Sequence, residues 1–238
     1  AFRSGQFAWV SLAAPQVADV KKTNSDANFI QAATISGSVI RFNCQDDHWK
    51  DERVRQAIAY ATNVQDYIDA VGGGSGIRMG PMPMAIKTWA VKESDLPQFD
   101  LAKAKQLMSA AGVEGGFSVT SSATQPYTSV DLTEITKAQL KKINIDVKID
   151  VLDNAAWIDK SYRASGFSFS TYADYAYSDP DRGLRDHYHS KGGNNNMKFS
   201  DPDIDKLLDR QREVTDEKER QSIVMDAQKK IIAKAPRV

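Results

Sequence analysis

Ile145, Val147, Ile149 and Val151 alternate strictly with Asp146, Lys148 and Asp150. Only an extended chain places every second side chain on one face, so this segment reads as a β-strand with one buried and one wet face. A helix precedes it, from about Ser129 to Lys142, with Leu132, Ile135 and Ile143 among its apolar positions. Asp153 follows and is placed to cap a short helix containing Trp157 and Ile158. Phe167-Ser168-Phe169-Ser170-Thr171 alternates again. Strands alternating with helices predict an α/β or α+β class.

The rest of the chain repeats these signals. Phe7-Ala8-Trp9-Val10 reads as a short buried strand and Val39-Ile40-Arg41-Phe42 as another. Pro15 opens a short helix to Lys22. Val54, Ala57, Ile58 and Ala61 recur at helical spacing behind Asp51. Val64, Tyr67, Ile68 and Val71 do the same behind Asn63, and the glycines of Gly72–Gly76 end that helix. Residues 72–99 hold three prolines and no sustained period, which predicts an irregular crossing segment. Leu101, Ala104, Met108 and Ala111 form a further helical face closed by Gly112, and Phe117–Thr120 reads as a strand. Residues 173–199 read as an extended loop. Ser200 and Asp203 frame a helix with Ile204, Leu207 and Leu208 inside. Asp216 and Glu219 have capping-box spacing for the last one, whose apolar face is Ile223, Val224, Ala227 and Ile231.

Composition narrows the function. Lys plus Arg number 31 and Asp plus Glu number 31, so no net charge draws the chain to nucleic acid. The single cysteine, Cys44, allows neither an internal disulfide nor a multi-cysteine zinc site. No apolar run approaches the roughly 18 residues that would span a bilayer, and the N-terminus lacks the apolar stretch of a secretory signal. Gly72–Gly76 is no phosphate loop, and no G-x-S-x-G elbow occurs. Asp186, His187 and His189 form the one histidine cluster. It reads as a polar surface stretch, the alternative being a metal-dependent hydrolase site in which an extended backbone aims both histidines one way. No cofactor site is evident. Tyr172, Asp174, Tyr175 and Tyr177 offer wide aromatic contact around a carboxylate, which suits ligand recognition as well as loop packing.

Several stretches together resemble one family. Ile40-Arg41-Phe42-Asn43 leads into Lys50-Asp51-Glu52-Arg53-Val54-Arg55-Gln56-Ala57-Ile58-Ala59-Tyr60-Ala61. Gly80-Pro81-Met82-Pro83, Phe99-Asp100 through Ala111-Gly112, Leu140-Lys141-Lys142-Ile143-Asn144-Ile145-Asp146-Val147 and Phe199-Ser200-Asp201-Pro202-Asp203-Ile204-Asp205-Lys206-Leu207-Leu208 follow in order. Together they are similar to the large extracytoplasmic solute-binding proteins of ABC transporters, the dipeptide, oligopeptide and nickel-binding class.

The resemblance implies an α/β lobe of the periplasmic-binding-protein kind, a mixed sheet flanked by helices. It implies that residues 1–238 are the C-terminal lobe region of a two-lobed protein. Residues 1–45 would lead in from the hinge side, with the N-terminal lobe absent from this chain. It further implies capture of a small solute, an oligopeptide or dipeptide, by a monomer that hands it to a membrane permease, and a periplasmic or membrane-anchored extracytoplasmic location. Enzymatic activity and nucleic-acid binding are not expected; a sensor lobe signalling to a partner is the remaining alternative. In peptide-binding members an Asp of a W-x-x-D loop meets the ligand ammonium. Asp174 is the nearest match, with Thr171 in the Trp position and Asp179-Pro180 two residues later than usual.

Overall fold

Four strands form one mixed sheet in the order β1-β4-β2-β3. They are β1 (Ser36–Phe42), β2 (Phe117–Thr124), β3 (Ile145–Leu152) and β4 (Phe169–Tyr175). The computed structural model describes residues 6, 8–12, 14–32, 34–125, 129–163, 166–175 and 177–238, without the side chains of residues 14, 15 and 175. Strand β2 runs parallel to β3 from Phe117 opposite Ile145 to Thr124 opposite Leu152, and it bridges to β4 at Ser121 and Phe169. Strand β4 is antiparallel to β1. The free edge of β1 is covered by the C-terminal residues: Ile40 N–H donates to the Val238 carbonyl at 2.7 Å, and Val238 N–H returns the bond at 2.9 Å.

Helices fall where periodicity and caps place them. They are α1 (Ala14–Thr23), α2 (Glu52–Ala61), α3 (Val64–Gly72), α4 (Leu101–Ala110), α5 (Ser129–Leu140), α6 (Asn154–Ile158), the one-turn α7 (Asp186–Tyr188), α8 (Pro202–Glu213) and α9 (Glu217–Lys234). Asp51, Asn63, Asp153 and Asp216 cap as expected, each accepting a backbone N–H of the first turn. The cap of α8 is Asp201 rather than Ser200 and takes the N–H groups of Asp203 and Ile204. At α9 the box is half made, because Glu219 pairs with Arg210 at 3.2 Å instead of reaching back. Changing Asp216 to Ala therefore removes one cap bond, and the urea midpoint is expected to fall by the equivalent of about 1 kcal/mol.

Gly116 turns the chain from α4 into β2 at φ 77°, where an added Cβ would stand 1.8 Å from the Asn144 carbonyl oxygen. One core packs α2, α4 and the strands around Phe42, Trp49, Ile58, Leu140 and Phe169. A second gathers Leu184, Tyr188, Ile204, Leu208 and Val224 around Met82, which residues 72–99 deliver. That crossing segment is irregular as expected, with one 3-10 turn at Glu93–Asp95.

Three expectations are corrected. Trp9 and Val10 are not in a strand, and Trp9 is 77% exposed; Phe7 lies outside the described residues. Burial along β3 fades from Ile145 to Val151, which is 48% exposed, because β3 is an edge strand whose far end outruns the core. Residues 173–199 are not one long loop. Strand β4 continues to Tyr175, and Asp181–Tyr188 winds into helical turns that place Leu184 and Tyr188 in the second core.

Candidate functional site

A cavity of about 180 Å³ opens at the end of β4. Tyr172 and Asp174, two apart on one strand, line it together with Tyr177. Tyr175 belongs to β4 opposite Ser36, and its side chain lies outside the described residues. Three further side chains converge that sequence reasoning missed as site residues: Arg41 from β1, Tyr162 after α6, and Arg237 near the C-terminus. Arg41 carried a readable signal. A charged residue inside an apolar strand has to find partners, and this one is 3% exposed. Arg237 carried none.

Asp174 is held from within the chain. Arg237 Nη1 donates to Asp174 Oδ2 at 2.7 Å, and both side chains are nearly covered. The Arg237 guanidinium also lies 5.0 Å from the Tyr188 ring centre. The Arg41 guanidinium sits 4.8 Å from the Tyr162 ring, 4.4 Å from Phe167 and 4.5 Å from Tyr172. Its Nη2 donates to the Ser161 carbonyl at 3.2 Å. Trp157 packs edge-on to Tyr162 and tilts against Tyr172, while its Nε1–H donates to the Ser122 carbonyl. This aromatic wall fixes the Tyr172 ring. Burial pushes the Tyr172 phenol above its ordinary range against the opposing pull of Arg41, and burial takes Tyr188 to about 12.

The histidine cluster does not assemble as a metal site. A strand would aim His187 and His189 one way, but residue 187 is helical and 189 is not. His187 donates from Nδ1 to the Gly183 carbonyl, its ring near Tyr177. His189 accepts the Lys191 N–H on Nδ1, which leaves the Nε2 proton to Asp209 at 3.2 Å. Among the described residues no three His, Cys, Asp or Glu side chains are grouped to hold a metal ion.

Burial first, and then Arg237, hold the His187 imidazole below its ordinary pKa; Asp174, the Gly183 carbonyl and Asp186 oppose them. The unfolded chain then binds the proton more readily, so stability falls as pH drops below about 6.5 towards the lowered value. A His187→Gln variant is expected to lose that part of the acid slope in thermal midpoints measured from pH 7 to pH 5. An unchanged slope would overturn the assignment.

A second, more apolar groove of about 530 Å³ runs between α3 and the edge of β1. Tyr67, Ile68 and Val71, the expected buried face of α3, are half-buried along it.

A mixed sheet between helices, with charged and aromatic side chains converging at one strand end, defines a periplasmic-binding-protein-like lobe. The chain belongs to the bacterial extracellular solute-binding proteins, family 5, matching the family's middle region over residues 1–195. It is 31% identical over 229 residues to Di/tripeptide-binding protein 3 of Pseudomonas aeruginosa, covering 90% of this chain and 42% of that protein. It is 28% identical over 230 residues to the glutathione-binding protein GsiB of Pectobacterium atrosepticum, covering 92% of this chain and 44% of that one. Among solved structures it is similar to the periplasmic binding protein DppA of Helicobacter pylori in complex with the peptide STSA. That match has a TM-score of 0.84 and 27% identity, and covers 96% of this chain and 45% of the other. The chain thus spans less than half the length of these relatives. Family 5 solute-binding proteins are extracytoplasmic or periplasmic, and no described helix is long and apolar enough to cross a membrane.

Proposed function

We propose that this chain is the C-terminal lobe region of the substrate-binding component of an ABC transporter. It captures a small solute, a dipeptide or oligopeptide, and passes it to a membrane permease. The observation that carries the reading is the cavity at the end of β4, walled by Tyr172 and Asp174 on strand backbone and by Tyr177 just beyond the strand. Peptide-binding relatives in the same family support the ligand class. The lobe acts as a monomer with a partner lobe that closes over the solute, and the closed population rises as ligand binds it better than the open one. No bond is made or broken.

Native mass spectrometry of the full-length protein, purified gently from its host, tests this. A ladder of bound masses spaced by amino-acid residues is the expected result. A single bound mass matching a sugar, an opine or a metal complex would overturn the peptide assignment.

A further inference from the structure

We propose that the cavity at the end of β4 receives an anionic group of the solute, a carboxylate, and that Arg41 is the residue that meets it. The inference rests on the solute-binding reading and names the end of the ligand that enters this cavity. The charges around the cavity decide its sign. Two guanidinium groups, Arg41 and Arg237, face it with one acidic side chain, Asp174. Arg237 already stands on Asp174 at 2.7 Å, so that pair is matched within the chain. Burial and Arg237 disfavour a proton on the His187 imidazole, so His187 does not offset the carboxylate of Asp174 as the two guanidiniums do. The balance left is one positive charge, on Arg41.

Arg41 is built to keep that charge available. Among the described residues no carboxylate lies within ion-pair distance of it, and its buried Nε–H has no hydrogen-bond acceptor. Rings of Tyr162, Phe167 and Tyr172 stand 4.4–4.8 Å from the guanidinium carbon and offer it no anionic acceptor for its N–H donors. The Ser161 carbonyl takes one of them. A buried donor without an acceptor, such as this Nε–H, is costly, and a carboxylate is the planar two-oxygen acceptor that fits a guanidinium edge. Asn194 and Asn196 line the same cavity and carry amide donors suited to carboxylate oxygens. An ammonium group would instead meet two guanidiniums and a carboxylate that is already paired.

Calorimetry on the full-length protein with trialanine, trialanine amide and N-acetyl-trialanine tests the inference. The amide is expected to bind at least tenfold more weakly than the free acid, and the N-acetyl form within about threefold of it. Arg41→Gln is expected to bring the free acid down to the level of the amide and leave the amide unchanged. A merely structural Arg41 would weaken all three ligands alike. Should Arg41→Gln fail to fold, the acid-to-amide comparison on the unmodified protein still decides. If acetylation is the modification that abolishes binding, the cavity takes an ammonium group; the inference falls while the solute-binding reading stands. If none of the three binds, the peptide reading falls, and acetate and succinate become the probes. Carboxylate binding that Arg41→Gln weakens tenfold upholds the inference. Absence of carboxylate binding, or binding indifferent to Arg41, overturns it.

Discussion

An Arg237→Met variant is expected to be less stable than the parent protein by about 3 kcal/mol or more. Arg237 and Asp174 are nearly covered and joined at 2.7 Å, so removing the guanidinium takes the matching cation away from a nearly covered carboxylate beside Tyr172 and His187. Breaking one side of a buried pair costs about 3–5 kcal/mol, far more than the roughly 0–1 kcal/mol of an exposed pair. Replacing both partners, Arg237→Met with Asp174→Asn, removes the carboxylate charge together with its cation and is expected to recover most of the loss. Urea unfolding of the two singles and the double gives the coupling directly. A loss below 1 kcal/mol in Arg237→Met would mean that water reaches the pair and that its charges are not matched within the chain. The electrostatic argument for Arg41 would then fail with it.

The second large effect is Trp49→Ala, with an expected loss of about 3–5 kcal/mol. Trp49 is fully buried, with ring centres of Phe42, Phe117 and Phe169 at 5.1, 5.5 and 5.5 Å. Its Nε1–H donates to Ser168 Oγ at 2.8 Å. It therefore ties the chain after β1 to the entrance of β4, and an alanine there leaves a cavity that three aromatic rings cannot all close. Trp49→Phe keeps most of the apolar volume and is expected to cost clearly less, since the only polar loss is one N–H donor to the Ser168 hydroxyl oxygen. Equal losses for the two variants would show that the hydrogen bond, and not the packing, carries the site.

Much of the secondary structure is legible along the sequence. Helix α2 follows from Val54, Ala57, Ile58 and Ala61, and its start from Asp51, because both signals act within a turn or two of backbone. Strand β3 follows from a period of two. Reading fails where burial depends on neighbours far away. The Phe7–Val10 run is apolar enough for a strand, yet Trp9 and Val10 pair with nothing, because strand pairing is not a local property. Tyrosines and charges hid the helical turns of Asp181–Tyr188, whose Leu184 and Tyr188 are buried by α8 and α9.

The site divides in the same way. Tyr172, Asp174 and Tyr177 stand out in sequence because aromatics and a carboxylate crowd a few residues after an alternating run. Their partners do not. Arg41 reaches Tyr172 because β1 pairs antiparallel with β4, with Val39 opposite Tyr172. Arg237 reaches Asp174 across 63 residues because the C-terminal segment hydrogen-bonds along the outer edge of β1. Local propensity, capping and alternation are fixed by residues a few positions apart, and the sequence alone determined those. Strand order and the covering of a sheet edge are fixed by burial summed over the whole chain. Only the tertiary structure could decide that the carboxylate at the site already has its cation and that a second cation stands beside it.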